Sequence, residues 1–185
     1  MRKLICGIDE AGRGPIAGPV CAAAVVLPAD FPFEILADSK KLSPIKRECS
    51  EAIIKERALF WAVGWASRRE IDRINILQAT LCAMKRAFWR IQAKTDEVFL
   101  VLVDGNYTID IDVDCRSIVR GDATVAEIMA ASILAKTARD RLMIQLDARY
   151  PQWGYAKHKG YPTRSHIEAC RLFGPSPIQR HTFSY

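Results

Sequence analysis

Short, almost continuous apolar runs alternate with longer amphipathic stretches along this chain, and the alternation predicts its secondary structure. Continuous apolar runs are typical of strands buried on both faces of a sheet. We expect such strands over residues 4–8, 20–27, 58–66 and 98–103, and a weaker, charge-interrupted strand over 109–118. Helices are predicted over residues 45–57, 75–93, 123–146 and 164–173, and in 75–93 apolar residues recur at three- and four-residue steps.

Capping residues help to place the ends of these helices. Ser43 followed by Pro44 is a favourable start for the first helix, and Ser67 begins a polar helical stretch before residue 75. For the longest helix, Thr124 with Glu127 three residues later matches a capping box, although Asp122 could be the cap instead. Residues 150–163 are predicted to form a loop, and residues 174–185 to be irregular.

The order of these elements indicates the fold class. Strands come first, and strands and helices then alternate, which favours an α/β protein with one central mixed β-sheet flanked by helices. At 185 residues, with no linker or repeat, the chain is expected to form one domain over residues 1–185. The segment from about residue 165, a helix and an irregular tail, is expected to pack on this domain.

Composition narrows the kind of partner and the compartment. A net charge of +6 and a pI near 9.1 favour a polyanionic partner. The six cysteines include no Cys-x-x-Cys pair, so we expect reduced thiols and a cytoplasmic protein. The first apolar run is interrupted at Asp9, which argues against a signal peptide, and no run is long enough for a membrane helix.

Acidic residues follow two of the predicted strands. Asp9 and Glu10 end the first apolar run and precede a loop rich in glycine, and Asp104 ends the run over 98–103. Ligand sites in open α/β sheets gather at the carboxyl ends of strands, so Asp9 and Asp104 meet if their strands are parallel neighbours. Asp122, before the longest helix, could reach the same place. Glu10 should point to the opposite face from Asp9, so its convergence requires the chain to leave strand geometry there.

Each acid also has an ordinary interpretation. A solvated turn explains the Asp9-Glu10 pair, a tight turn explains Asp104, and a helix cap explains Asp122. If the four carboxylates do converge, they repel one another unless cations lie among them. Two divalent ions, Mg²⁺ or Mn²⁺, suit oxygen ligands of this kind and suit attack of water on a phosphodiester. The arrangement therefore predicts a metal-dependent phosphodiester hydrolase.

A set of short motifs makes the chain resemble a known family. They are Gly7-Ile8-Asp9-Glu10-Ala11-Gly12-Arg13-Gly14-Pro15, Asp38-Ser39-Lys40-Lys41-Leu42, Asn75-Ile76-Leu77, Ala79-Thr80, Asp104-Gly105, Gly121-Asp122-Ala123, Ala130-Ala131-Ser132-Ile133-Leu134-Ala135-Lys136, Arg139-Asp140 and His158-Lys159-Gly160-Tyr161-Pro162-Thr163. In this order they resemble the signature of the type 2 ribonucleases H, in particular ribonuclease HII. The resemblance extends from Lys3 to about Phe183.

The resemblance implies an RNase H-like fold and a specific activity. Such an enzyme hydrolyses the RNA strand of RNA/DNA hybrids and nicks duplex DNA 5′ to embedded ribonucleotides, leaving 3′-hydroxyl and 5′-phosphate ends, as in ribonucleotide excision repair. It implies a monomer that binds nucleic acid and no membrane.

The resemblance also implies a role for each of several residues. Asp9, Glu10, Asp104 and Asp122 become the metal-binding catalytic acids; Gly12, Arg13 and Gly14 become the loop that reads the 2′-hydroxyl; and Tyr161 stacks on the following deoxyribose. A ring against that sugar would disfavour a hydroxyl there. Lys40 becomes a candidate phosphate contact. Lys41, Lys136, Lys159 and Arg164 are weaker candidates, for which ordinary solvated charge is the alternative.

Three alternatives stay open at this point. Ribonuclease HIII is the nearest confusable family, but its usual signature has serine and lysine where this chain has Ala11 and Arg13, and its extra amino-terminal domain has no room before residue 7. A non-catalytic hybrid-binding protein would be expected to lack one of the four acids. A DNA recombination nuclease would share the fold, and the Gly12–Gly14 loop together with Tyr161 argues against it. No clear clamp-binding motif is visible near Tyr185.

Overall fold

A computed structural model describes residues 3–36, 43–97 and 99–184 of the chain. Its centre is one five-stranded mixed sheet with the strand order β3-β2-β1-β4-β5. The strands are β1 (Leu4–Ala11), β2 (Val20–Val26), β3 (Phe60–Ala66), β4 (Phe99–Asp104) and β5 (Asp114–Ile118). β2 pairs antiparallel with both β1 and β3, whereas β4 lies parallel between β1 and β5. The predicted α/β class with one mixed sheet is confirmed.

Helices cover both faces of this sheet. They are α1 (Pro44–Arg57), α2 (Arg68–Gln92), α3 (Ala126–Arg149), α4 (Tyr155–His158) and α5 (Arg164–Phe173). Alternate residues of β2 face opposite sides: Ala22 and Ala24 pack in the core beneath α2, and Ala23 and Val25 pack in the core beneath α1 and α3. Because β2 is buried on both faces, its sequence is apolar throughout.

Two glycines allow the helices to approach the sheet closely. A Cβ atom on Gly7 would lie 2.2 Å from the backbone of Glu127 in α3, and one on Gly64 would lie 2.1 Å from the carbonyl oxygen of Ala83 in α2. No side chain fits at either distance. The contact at Gly7 brings the amino end of α3 against the middle of β1, close to the strand end that carries Asp9.

Several predicted boundaries differ from the structure. β1 continues to Ala11, three residues beyond the predicted end, and β5 covers only the second half of the predicted residues 109–118. The loop predicted over 150–163 contains the one-turn helix α4. α2 is continuous with the polar stretch that starts at Ser67, but it is kinked at Asn75, where the backbone leaves helical geometry. Lys40 and Lys41 lie outside the described residues.

The predicted capping of the helix expected over residues 123–146 is wrong. α3 begins at Ala126, and its N-cap residue Val125 makes no capping bond through its side chain. Neither Thr124 nor Asp122 is in the N-cap position, because residues 121–123 form a separate 3₁₀ turn before the helix. A capping box is present instead at Ser67 and Glu70, at the start of α2. Ser43 caps α1 as predicted.

The carboxy-terminal residues lie against the glycine-rich loop that follows β1. The amide of Gly18 donates to the carbonyl oxygen of Ile178 at 2.9 Å, and the amide of Arg180 donates to that of Ile16 at 2.9 Å. A β-bridge joins Ala17 to Gln179 between these two bonds. Among the described residues, no helix is both long and apolar enough to cross a membrane.

Candidate active site

An open pocket of about 390 Å³, lined mainly by charged and polar side chains, lies at the carboxyl ends of β1 and β4. Its lining comprises Asp9, Glu10, Ala11, Gly12, Arg13, Gly14, Arg47, Asp104, Asp122, Ser132, Lys136, Arg139 and Tyr161. All four predicted acids, the three residues of the predicted reading loop and the predicted stacking ring therefore line one pocket.

Sheet topology brings Asp9 and Asp104 together. In the parallel pairing of β1 with β4, Ile8 lies opposite Val103, and the two aspartates are the next residue of each strand. Parallel neighbours present their carboxyl ends on the same edge of the sheet, as the sequence analysis requires. The arrangement follows directly from the strand order.

Asp122 reaches the pocket through the 3₁₀ turn over residues 121–123. Its backbone amide donates to Oδ1 of Asp104 at 3.2 Å, which joins the two residues directly. A Cβ atom on Gly121 would lie 3.4 Å from the same oxygen and 2.5 Å from the Ile128 side chain, so the turn passes close to β4 and α3. Asp122 therefore contributes to the pocket from a turn, and not as a helix cap.

Glu10 lines the pocket without the predicted departure from strand geometry. It pairs with Ala22 inside the β1–β2 ladder, so its side chain and that of Asp9 leave opposite faces of the strand. Both nevertheless line the pocket, which therefore extends around the end of β1. Glu10 Oε1 also accepts a hydrogen bond from Nη1 of Arg13 at 3.3 Å.

Burial and nearby negative charge disfavour the ionised forms of Asp9 and Glu10. Asp9 is 6% exposed, and burial followed by the charges of Glu10 and Asp104 raises the pKa of its carboxyl well above the ordinary value, despite hydrogen bonds from Ser132 and the Glu10 amide. Burial likewise raises the pKa of Glu10, and Arg13 offsets part of that effect. Positive charge supplied from outside the protein would relieve this repulsion.

The donor set suits a hard divalent cation, since every acid here offers carboxylate oxygens. Within residues 3–36, 43–97 and 99–184, however, no three His, Cys, Asp or Glu side chains are already grouped closely enough to hold a metal ion. The fit therefore rests on the chemistry of the donors and on their unneutralised charge. It does not rest on a finished coordination shell.

The predicted reading loop and Tyr161 lie next to each other in the lining of the pocket. A Cβ atom on Gly14 would lie 3.4 Å from Cε1 of the Tyr161 ring, which is ordinary close contact. Gly12 has φ of +100°, and a side chain there would collide with Arg139. Tyr161 is 43% exposed, so its ring is open to a ligand.

Three polar residues of the pocket, Arg47, Ser132 and Arg139, were assigned no role from the sequence. Ser132 lies inside a family-like block, but its apolar neighbours gave it no chemical context. Arg47 and Lys136 both contact Asp140, at 3.4 and 2.8 Å. Of the weaker phosphate candidates, Lys136 lines the pocket, whereas Arg164 is exposed and pairs with Glu168 in α5. The Lys159 ammonium donates to the carbonyl oxygen of Ala156.

Solved structures share this fold. The chain superposes on ribonuclease H2 from Pyrococcus horikoshii with a TM-score of 0.75 at 24% identity, covering 97% of this chain and 93% of that one. It superposes on ribonuclease HII from Archaeoglobus fulgidus, solved in complex with PCNA, with a TM-score of 0.79 at 22% identity, covering 98% and 96%. For Bst-RNase HIII in complex with Mn²⁺ the TM-score is 0.72 at 17% identity, covering 93% and 63%. The chain thus has the fold of the class that comprises these ribonucleases H2, HII and HIII.

Sequence comparison places the chain within that class. The family model for ribonuclease HII matches residues 6–185. A ribonuclease HII from Treponema denticola is 54% identical over 194 residues, covering 97% of this chain and 98% of the relative. One from Laribacter hongkongensis is 54% identical over 185 residues, covering 99% and 92%. The chain belongs to the ribonuclease HII family, and it is therefore a hydrolase with ribonuclease H endonuclease activity that acts on nucleic acid.

Proposed function

We propose that this protein is a metal-dependent endoribonuclease that cleaves the RNA strand of RNA/DNA hybrids and nicks duplex DNA 5′ to embedded ribonucleotides. The observation that carries the proposal is the convergence of four acids, the Gly12–Gly14 loop and Tyr161 on one pocket. The acids supply groups for phosphodiester hydrolysis, and the loop and ring supply groups that could distinguish a ribose from a deoxyribose.

Asp9, Glu10, Asp104 and Asp122 are the proposed catalytic residues. They would hold two divalent ions, Mg²⁺ or Mn²⁺, which when bound supply positive charge to the phosphate and acidity to the attacking water. In the reaction, water adds its oxygen to phosphorus and the bond from phosphorus to the 3′-oxygen breaks. The products carry a 3′-hydroxyl and a 5′-phosphate.

Recognition of the ribonucleotide is assigned to the loop and the ring. The 2′-hydroxyl is the group by which a protein tells RNA from DNA at a given site. Backbone groups at Gly12 and Gly14 can approach it closely, because no side chain intervenes, and the Arg13 guanidinium can contact a phosphate. Tyr161, in contact range of Gly14, would cover the deoxyribose that follows the ribonucleotide.

We propose a single catalytic domain over residues 1–185, which acts as a cytoplasmic monomer in ribonucleotide excision repair. Lys40 is a proposed phosphate contact. The basic net charge of +6 supports binding to a polyanion along a surface wider than the pocket.

A cleavage assay tests the reaction. A labelled DNA duplex with one ribonucleotide is incubated with Mg²⁺, with Mn²⁺ or with EDTA, and the position and ends of the cut are mapped. We expect a metal-dependent nick 5′ to the ribonucleotide, and we expect Asp9→Asn to abolish it while the exposed Asp112→Asn control cleaves like wild type. If folded wild-type protein cuts neither this duplex nor a hybrid with either metal, the nuclease proposal is overturned and the alternative of a non-catalytic hybrid-binding protein remains.

Tyr161 is tested through substrate preference. Tyr161→Ala should lower kcat/KM on a single embedded ribonucleotide by about 10-fold or more, and on a long hybrid by less. The reason is that the single ribonucleotide can be cut only at its one junction with DNA, where the ring is proposed to stack. Tyr161→Phe keeps the ring and should stay near wild type. Equal losses on both substrates for Tyr161→Ala would remove the ring from junction recognition.

A further inference from the structure

Arg180, near the carboxy terminus, is completely buried, and its guanidinium group is surrounded by backbone carbonyl oxygens of one loop. It donates to the carbonyls of Gly12 at 2.6 Å, Arg13 at 3.0 Å, Pro15 at 2.6 Å, Gly18 at 2.9 Å and Pro19 at 3.3 Å. These five acceptors span the whole glycine-rich loop after β1. One side chain therefore fixes the path of that loop.

Arg139, in α3, does the same from the other side. It is 1% exposed and donates to the carbonyls of Ala17 at 3.1 Å, Pro19 at 3.0 Å and Lys159 at 2.9 Å. Its last bond reaches the segment that carries Tyr161. In the described part of the chain, every hydrogen bond that these two guanidinium groups donate ends on a backbone carbonyl.

Two buried cations side by side are expensive to maintain. A charge taken out of water costs several kcal/mol unless its hydrogen bonds are satisfied. Burial and the nearby charge of Arg139 lower the pKa of Arg180 to about 9, so Arg180 is still mainly protonated at neutral pH. Apolar side chains would fill this space at lower cost. The arginines do what apolar residues cannot, because a guanidinium holds several carbonyls in fixed directions.

The direction of those carbonyls determines where the loop amides point. In a trans peptide the carbonyl and the amide of the same unit lie on opposite sides. Since Arg180 draws the carbonyls of Gly12 and Arg13 inward, the amides of Arg13 and Gly14 are turned away from it. Residues 12–14 line the pocket, so these amides become available to a ligand there.

The same framework holds Tyr161. The amide of Ile16 donates to the carbonyl of Gly160 at 2.9 Å, and Arg139 binds the carbonyl of Lys159 next to it. A Cβ atom on Gly160 would lie 2.6 Å from the carbonyl oxygen of Ala17, so the two segments touch directly. The reading loop and the stacking ring are thus fixed relative to each other.

We propose that Arg180 and Arg139 are positioning residues for ribonucleotide selection: they orient the amides of Arg13 and Gly14 and fix their distance from Tyr161. This inference rests on the proposed function, because it presumes that the loop and ring read the junction. It makes the carboxy-terminal segment part of the specificity apparatus, although none of the described residues of that segment lines the pocket.

The test compares two substrates across Arg180→Lys, Arg180→Ala and the control Arg171→Ala, which removes an exposed arginine from the same end of the chain. Steady-state kcat/KM is measured on a duplex with one ribonucleotide and on a long RNA/DNA hybrid. We expect the ratio of kcat/KM on the single ribonucleotide to kcat/KM on the hybrid to fall about 10-fold or more in Arg180→Ala. The fall should be smaller in Arg180→Lys, which keeps the charge but loses the forked guanidinium. Arg171→Ala should keep the wild-type ratio.

Further measurements separate positioning from a structural role. Guanidinium ion at low millimolar concentration should restore the ratio in Arg180→Ala, whereas sodium chloride at equal concentration should not. If Arg180→Ala does not fold, the ratio in Arg180→Lys decides, and an unchanged ratio there overturns the inference. Equal losses on both substrates in folded variants also overturn it. If wild type fails to cut the single ribonucleotide, the proposed function falls and takes the inference with it.

Discussion

The buried carboxylate of Asp9 is required for the proposed catalysis, but it lowers the stability of the fold. Its carboxylate is buried at the end of β1 beside Glu10 and Asp104, and no described side chain forms an ion pair with it that would neutralise it. Arg13 compensates Glu10 instead. A metal-free protein therefore carries unrelieved repulsion at this strand end, which lowers its stability.

The conflict predicts that Asp9→Asn is more stable than wild type without metal. Removing one buried charge should raise the free energy of unfolding by about 1 kcal/mol, since each pKa unit of unfavourable environment is worth about 1.4 kcal/mol. Denaturant unfolding in EDTA measures this, with the exposed Asp112→Asn as the control. An Asp9→Asn protein no more stable than that control would mean that the carboxylate is well accommodated by Ser132 and the Glu10 amide.

The acids and the two buried arginines differ in how far sequence reasoning reaches them. Asp9 and Asp104 end apolar runs, so a rule about parallel strands places them on one edge. Arg139 and Arg180 bind backbone carbonyls more than 100 positions away in the chain. A backbone carbonyl is present at every residue, so no residue type along the loop signals its partner. Such contacts emerge only when the tertiary path is known.

At the scale of elements, hydrophobic pattern predicted which segments form strands and helices but not how they end. β1 continues to Ala11 because β2 lies antiparallel to it and extends the ladder to the pair of Ala11 with Cys21. The start of α3 is fixed by packing on Gly7, which overrides the local capping signal at Thr124. Both errors occur where tertiary contacts outweigh local propensity.

The kink in α2 gives a prediction at this scale. Asn75 has φ of 66° and ψ of 168°, which only glycine adopts readily, and its Oδ1 accepts from the amide of Gln78 at 3.1 Å as a cap for the second half of the helix. Asn75→Ala should lower the free energy of unfolding by about 1–2 kcal/mol, because it loses the cap and keeps the strain.

Asn75→Gly separates these two contributions. Glycine loses the cap but relieves the backbone, so we expect a smaller loss than with alanine. The exposed Gln92→Ala, at the end of the same helix, controls for the loss of a polar side chain and should change stability little. Chemical denaturation of all three variants measures the differences, and equal losses for alanine and glycine would show that the strain has no cost.

For the molecule as a whole, the region after α3 contains a pair of stacked imidazoles. The rings of His158 and His166 lie 4.3 Å apart and nearly parallel. Nδ1 of His158 accepts from the amide of Gly160, so its Nε2 carries the proton and donates to the carbonyl of Trp153. Nδ1 of His166 faces the carbonyl oxygen of Tyr161 at 2.9 Å and donates to it. Both rings fit this arrangement in the neutral form.

This pairing makes global stability depend on pH below neutrality. Burial lowers the pKa of both histidines, and for His166 the neighbouring His158 adds to the effect. The unfolded chain, whose histidines titrate near the ordinary value of about 6.5, therefore binds more protons than the folded protein. By linkage, the free energy of unfolding falls as the pH drops through about 6.5, and the loss is complete below the lowered folded pKa values.

We expect the two histidines to contribute a loss of about 1 kcal/mol or more between pH 7.5 and 5.5. The raised pKa values of Asp9 and Glu10 contribute in the opposite direction, and denaturant unfolding at each pH measures the sum. His166→Gln removes one of the two titrating imidazoles and leaves the other titrating groups unchanged. It should therefore flatten this dependence, whatever its effect on stability at pH 7.5. His181→Gln removes the third histidine, which is exposed, and should retain the wild-type slope. A slope that is the same in all three proteins would contradict this assignment, because it would show that the stacked pair tolerates a proton.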